Sequence, residues 1–211
     1  MNPTDLITWL GVILLAYLLG SIPFGLVLTR LFTDVDIRKV GSGNIGATNV
    51  RRLAGTRLGL LTLAGDVAKG AFPVLLARSL PAPDFPQQDI CLSLAALAAF
   101  GGHLFPVYMK MKNGGKGVAT AAGSLAVISP LAVLVALAGF LLVAFASNRV
   151  SAGSLAAAAT LPPAIWWTTH SAAFSVCALV LAAGIFVRHS ANIRRLLDGS
   201  EPRIRSRRST R

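Results

Sequence analysis

The sequence predicts an all-α, polytopic membrane protein, and three observations carry that prediction. Hydrophobic residues make up 54% of the 211 and charged residues only 13%, with a mean hydropathy of +0.67; a soluble domain of this length needs far more charged surface. The apolar residues run in stretches, several close to the ~20 that cross a bilayer as a helix. The basic residues collect between those stretches, as they do in cytoplasmic loops.

The elements follow in order. Residues 6–32 form a first span, interrupted by Gly20-Ser21-Ile22-Pro23-Phe24-Gly25, a sequence that lets helices approach closely or opens the helix. The preceding Met1-Asn2-Pro3-Thr4-Asp5 lacks the positive region of a signal peptide, so this span is expected to stay. A polar loop with Arg38, Lys39, Arg51, Arg52 and Arg57 leads to a second span, 58–80, which contains Asp66 and Lys69. Residues 81–89 carry prolines and acids and no basic residue. A third span, 90–109, ends in the basic, glycine-rich loop 110–116. Residues 117–128, 131–146, 152–168 (interrupted by Pro162-Pro163) and 174–187 are shorter apolar segments, and Ser129-Pro130 separates the first two. Short helices cross where the protein buries their ends or thins the bilayer.

The distribution of Lys and Arg sets an outside N-terminus, an inside C-terminus and an odd number of spans. Seven spans put Arg149 inside, and five, made by fusing the short segments, put it outside. Seven is the expectation here, because every glycine-rich cationic segment then lies on the cytoplasmic side. Residues 1–197 form one integral-membrane domain. Residues 198–211, with Arg203, Arg205, Arg207, Arg208 and Arg211, form a basic tail facing anionic membrane lipid. The net charge of +12 raises nucleic-acid binding as a second reading. The scatter of the basic residues over several loops argues against a nucleic-acid partner. Cys91 and Cys177 lie singly in apolar stretches and give no metal spacing, so no metal or cofactor is expected.

Two segments carry chemistry. Gly41-Ser42-Gly43-Asn44-Ile45-Gly46 matches G-x-G-x-x-G, with Asp66 about where a ribose-binding acid would fall. A dinucleotide fold needs a strand before that motif, and here a membrane span precedes it. The backbone chemistry survives the rejection. Glycine-rich chain can turn successive N–H groups toward one anion, with Ser42, Asn44, Thr48 and Asn49 as neutral donors and Arg51 and Arg52 as guanidinium partners. The second segment, Asn113-Gly114-Gly115-Lys116-Gly117-Val118-Ala119-Thr120, enters a helix N-terminus, where partial positive charge favours phosphate. It is not a P-loop, since Gly117 follows Lys116. His189 and Asn192 share a face by their spacing, near Arg188 and Arg195, and Asp66 and Lys69 do likewise. His103 lies late in its span. None of His103, His170 and His189 has an Asp five positions on, as soluble-type glycerolipid acyltransferases require. The site therefore consists of positioning and charge-stabilising groups without an evident general base.

Taken together, these stretches resemble the bacterial acyl-phosphate:glycerol-3-phosphate acyltransferase family, PlsY. The matching residues are Gly20-Ser21-Ile22-Pro23, Ser42 to Asn49 through Arg52, Asp66 with Lys69-Gly70, Gly102-His103 with Pro106-Val107, Gly114 to Thr120, and Arg188-His189 with Asn192-Ile193 and Arg195-Leu196. The resemblance implies a seven-helix enzyme of the bacterial inner membrane, with its active site facing the cytoplasm. It would transfer a fatty acyl group from acyl phosphate to the 1-hydroxyl of glycerol 3-phosphate, giving lysophosphatidate and phosphate. Neither acyl-CoA nor acyl carrier protein would be the direct donor. By the same resemblance, Ser42, Arg52, Lys116, His189 and Asn192 bind glycerol 3-phosphate. Asn44, Gly46, Thr48, Asn49, Gly114, Gly115, Gly117 and Thr120 hold the donor phosphate, and Ser21, Asp66, Lys69 and His103 lend support. The family commonly runs Lys-Gly-Gly-Lys-Gly at the second segment, whereas Lys112-Asn113-Gly114-Gly115-Lys116 holds an extra residue, which leaves Lys112 without an assigned role. A transporter or flippase of a phosphate-bearing lipid is the rival from another class; it would need polar residues along a full path, and here they crowd one side.

Overall fold

A computed structural model describes residues 3–81 and 87–204. The tail arginines Arg205, Arg207, Arg208 and Arg211, and most of the 81–89 segment, lie outside the described residues. Among those described there are nine α-helices and no strand. They are α1 Pro3–Gly20, α2 Phe24–Phe32, α3 Ala47–Ser79, α4 Gln87–Leu104, α5 Val118–Ile128, α6 Pro130–Ser147, α7 Val150–Thr169, α8 Ala172–Arg188 and α9 Ser190–Leu197.

Every segment expected to span is helical. By length and apolar character, three helices are able to cross a membrane, or up to five if each bent pair counts as one span. The bent pairs are α1 with α2, at 41°, and α8 with α9, at 60°. The first bend falls at Gly20-Ser21-Ile22-Pro23, as its turn chemistry requires. At 11 residues, α5 reaches only ~16 Å at ~1.5 Å per residue, about half the hydrocarbon thickness.

Three expectations need correction. The loop expected over 33–57 is shorter: α3 begins at Ala47, and only Gly55, at φ 88, breaks its backbone. The break expected at Pro162-Pro163 does not occur, and α7 runs through both prolines; apolar helices tolerate proline where neighbouring groups satisfy the freed carbonyls. The basic tail expected over 198–211 is in part packed, because its described residues, up to 204, fold back on the bundle. Ile204 N–H donates to the Asn148 carbonyl at 2.8 Å, and Arg149 Nη2 donates to the Gly199 carbonyl at 3.0 Å.

Small residues set the packing. A Cβ on Gly20 would stand 2.1 Å from the Ala99 carbonyl oxygen, and one on Gly102 would stand 2.3 Å from that of Tyr17, so α1 and α4 meet backbone to backbone. Gly70 and Gly123 bring α3 and α5 together in the same way, against Thr120 O and Val67 O at 2.1 Å each. Such contacts let dispersion drive association where lipid is as apolar as the helix surface. The core between them is rich in alanine, including Ala16, Ala95, Ala96, Ala99, Ala121 and Ala178. Ser129 caps α6, its hydroxyl accepting from Ala132 N–H at 3.3 Å with Pro130 in the first turn.

Candidate active site

The first glycine-rich loop is built around one amide. Asn49, buried in the first turn of α3, accepts from Ser42 N–H at 3.1 Å and donates to the carbonyls of Asn44 and Ile37 at 2.9 and 3.2 Å. Asn44 in turn accepts from Gly46 N–H at 2.9 Å. Gly41 and Gly43, both at φ 66, supply the left-handed turns. Ile37 and Ile45 anchor the loop in a second small core with Leu26 and Val50, and Met109 packs against it. Asn44 and Asn49 thus shape the loop, and Ser42 stands on its exposed rim. Arg38 is engaged by Asp36 at 2.8 Å, which leaves Arg51 and Arg52 as the exposed cations at the start of α3.

The second loop is seated on the end of α4. Gly115 N–H donates to the His103 carbonyl at 3.1 Å, so this N–H is already engaged. A Cβ on Gly114 would stand 2.0 Å from Leu104 O, and one on Gly115 would stand 1.9 Å from His103 Nε2. Gly117, at φ 81, lies against the Phe100 ring and opens α5. Around the extra residue noted in the sequence the backbone is left-handed at Lys110, Met111 and Asn113 (φ 54, 58 and 57), and Lys112 is exposed. Arg188, at the end of α8, clamps the turn from the other side. Its guanidinium donates from Nε to the Gly115 carbonyl at 3.0 Å and from Nη2 to that of Gly114.

Lys116 projects from this turn into a chain of polar side chains. Its ammonium donates to Asn192 Oδ1 at 2.6 Å. Asn192 Nδ2 donates to Glu201 Oε1 at 2.7 Å, and Arg195 Nε donates to Glu201 Oε2 at 2.7 Å. Burial pushes the Lys116 ammonium down to about 8; Glu201 opposes this, and Arg195, Arg52 and Arg188 reinforce it. The buried His189, where α8 meets α9, has Nδ1 2.8 Å from the Ile185 carbonyl. A carbonyl only accepts, so Nδ1 carries the proton and Nε2 is left as an acceptor. Burial, and then the charge of Lys116, push His189 down to about 4; the ring is neutral near pH 7.

Four expected residues are thus brought into one electrostatic group: Arg52, Lys116, His189 and Asn192. Thr120, one turn into α5, is fully buried, and its hydroxyl has no partner among the described residues. Ser21, Asp66, Lys69 and His103 form a buried set that meets the turn through His103: Ser21 Oγ donates to Tyr17 O at 2.8 Å, Lys69 pairs with Asp66 at 2.8 Å, and His103 Nδ1 lies 3.7 Å from the same Asp66 oxygen. The sequence names Arg188 only as a basic neighbour of His189 and does not single out Glu201. Arg188 is the clamp on the glycine turn, and Glu201 orients Asn192 from within the presumed tail. The only available signal for Glu201 was an acid inside an arginine-rich stretch.

A family model described as glycerol-3-phosphate acyltransferase matches residues 10–199. A glycerol-3-phosphate acyltransferase of Syntrophotalea carbinolica is 50% identical over 194 residues, covering 92% of this chain and 96% of that protein. One of Geobacter sulfurreducens is 44% identical over 191 residues, covering 90% and 95%. A crystal structure of PlsY, an integral membrane glycerol 3-phosphate acyltransferase, in its glycerol 3-phosphate form superposes with a TM-score of 0.86 at 38% identity, covering 93% of this chain and 95% of that one. Its lysophosphatidic acid form gives 0.84 at 37% identity, with the same coverage.

Proposed function

The chain belongs to the glycerol-3-phosphate acyltransferase family, and from that premise we propose that it transfers a fatty acyl group from acyl phosphate to the 1-hydroxyl of glycerol 3-phosphate. The observation that carries this reading is the gathering of Lys116, Arg52, Arg188 and Arg195 around one neutral histidine and one oriented amide. Two phosphate-bearing substrates need that much positive charge in one place. Ser42, Arg52, Lys116, His189 and Asn192 bind glycerol 3-phosphate. The donor phosphate lies at the Gly114–Gly117 turn and the N-terminus of α5, with Thr120 and the Asn44–Asn49 segment beside it. The site faces the cytoplasm of a bacterial inner membrane, across which the chain passes seven times.

The chemistry needs little from the protein beyond placement. The substrate hydroxyl oxygen attacks the acyl carbonyl carbon, an ester C–O bond forms, and the C–O bond of the mixed anhydride breaks. Phosphate departs with the electron pair. A phosphate oxygen takes the hydroxyl proton, while His189 Nε2 accepts a hydrogen bond that orients the glycerol. Positioning and stabilisation of developing charge supply the rate. The test uses purified protein in lipid with palmitoyl phosphate and glycerol 3-phosphate, and measures lysophosphatidate and phosphate. Equimolar products are expected, with none from palmitoyl-CoA or palmitoylated acyl carrier protein. No product from palmitoyl phosphate in folded protein rejects the reading, and with it the preference for an enzyme over a flippase.

The Lys116 ammonium also gives a pH signature. With the group near 8, it is charged below that pH and neutral above it. Substrate phosphate loses its second proton at about pH 6. The KM for glycerol 3-phosphate is therefore expected to be flat from about 6.5 to 8 and to rise roughly tenfold per unit above it. Lys116→Arg, whose guanidinium stays charged, is expected to abolish the rise. A KM that is flat to pH 9.5 in the unaltered protein contradicts the assignment.

A further inference from the structure

A line of buried polar groups that the transfer step leaves unused runs beneath the glycine-rich turn. It begins at the break between α1 and α2, where the Ile22 carbonyl accepts from Lys69 Nζ at 2.8 Å. Lys69 lies 2.8 Å from Asp66 Oδ1, and His103 Nδ1 lies 3.7 Å from the same oxygen. The far edge of the His103 ring meets Gly115, where a Cβ would fall 1.9 Å from Nε2. Asp66, Lys69 and His103 are each under 5% exposed, at 3%, 4% and 3%. Ionisable side chains inside a membrane bundle are expensive, and packing alone is served as well by apolar residues of the same volume.

His103 touches the turn in two ways. Its carbonyl accepts from Gly115 N–H at 3.1 Å, and its ring occupies the space beside the Gly115 Cα. Gly115 directly precedes Lys116, whose ammonium must reach Asn192, and lies two residues before Gly117, which opens α5. A carboxylate beside Nδ1 favours the tautomer with its proton on that nitrogen, which leaves the slimmer, unprotonated Nε2 toward the turn. Nδ1 has no hydrogen-bond partner among the described residues, so the ring is held by charge and packing rather than by a short bond. Any change in the ring's seat passes straight to the backbone of the turn.

We propose that His103, oriented by the Asp66–Lys69 pair, is a positioning residue that sets the seat of the Gly114–Gly117 turn for the acyl donor. The proposal rests on the reading that this turn receives the donor phosphate. It joins the helix break at Ser21-Ile22, the intramembrane ion pair and the late histidine of α4 into one device.

The experiment is a double-mutant cycle on protein in lipid, with palmitoyl phosphate and glycerol 3-phosphate as substrates. His103→Ala is expected to raise the KM for palmitoyl phosphate about tenfold, and that for glycerol 3-phosphate less, because Asn192 also holds Lys116. His103→Asn, which keeps an N–H toward Asp66, is expected to recover about threefold of that loss. Gly115→Ala alone is expected to lose ~30-fold in kcat/KM, but less than ~threefold in the His103→Ala background, where the opposing ring is gone. Additive losses, a larger rise in the KM for glycerol 3-phosphate than for the donor, or wild-type kinetics in folded His103→Ala protein overturn the proposal. If His103→Ala does not fold, His103→Asn with Gly115→Ala completes the same cycle. Failure of the underlying reading is distinct, since the unaltered protein would then make no product from palmitoyl phosphate.

Discussion

Lys116→Ala is expected to lower kcat/KM by about 10²–10³-fold, the loss seen when a desolvated charge that meets substrate or transition-state charge is removed. The ammonium is half-buried and donates to Asn192 Oδ1 at 2.6 Å, so its position is set before substrate arrives. Its removal leaves the Asn192 oxygen without its donor and withdraws one positive charge from the site. It should not unfold the protein, because Lys116 already works against Arg195, Arg52 and Arg188. The decisive pattern is a large kinetic loss with thermal stability unchanged or slightly raised. Activity within fivefold of the unaltered protein removes Lys116 from the site. A fall in stability parallel to activity reassigns it to the fold.

Glu201→Ala is expected to be as damaging by another route. The carboxylate is buried and accepts from Asn192 Nδ2 and Arg195 Nε, both at 2.7 Å. Removing it orphans the Asn192 amide donors and frees the segment that reaches Asn148 through Ile204. The loss of a buried charge-assisted network of this kind costs about 2–4 kcal/mol. The site feels the change too, because Glu201 raises the Lys116 ammonium against the effect of burial. Without Glu201 the pH at which the KM for glycerol 3-phosphate begins to rise should move below 8. Glu201→Gln keeps the acceptor for Asn192 and should retain more stability than Glu201→Ala while still shifting the pH break. Unchanged stability and an unshifted break in both variants would show that the segment rests on the bundle without holding Asn192.

Much of this protein was legible along the chain. Apolar stretches and the placement of Lys and Arg are local properties, and they located every helix that was expected to span. The Ser129-Pro130 boundary and the break at Gly20-Ser21-Ile22-Pro23 follow from backbone chemistry that acts within a few residues. Lys116, His189 and Asn192 could be named because glycine-rich turns and polar residues beside apolar helices stand out from their surroundings.

Other features required the fold. Gly114 and Gly115 appear in the sequence as an open phosphate cradle. In the structure the Gly115 N–H is bonded to His103 and the Cβ positions are filled by α4, so their absent side chains matter as much as their flexibility. Asn44 and Asn49 read as donors for an anion, yet their amides hold the loop itself. Pro162 and Pro163 read as a break, yet α7 runs through both of them. Glu201 and Arg188 acquire their roles only when residues far apart in sequence meet. The sequence by itself determined which segments enter the apolar phase and which carry charge, since hydropathy and backbone preference are short-range. Tertiary structure alone decided which charges face one another, because a hydrogen bond of 2.6 Å between Lys116 and Asn192 depends on the packing of α4, α5 and α8 rather than on any local pattern.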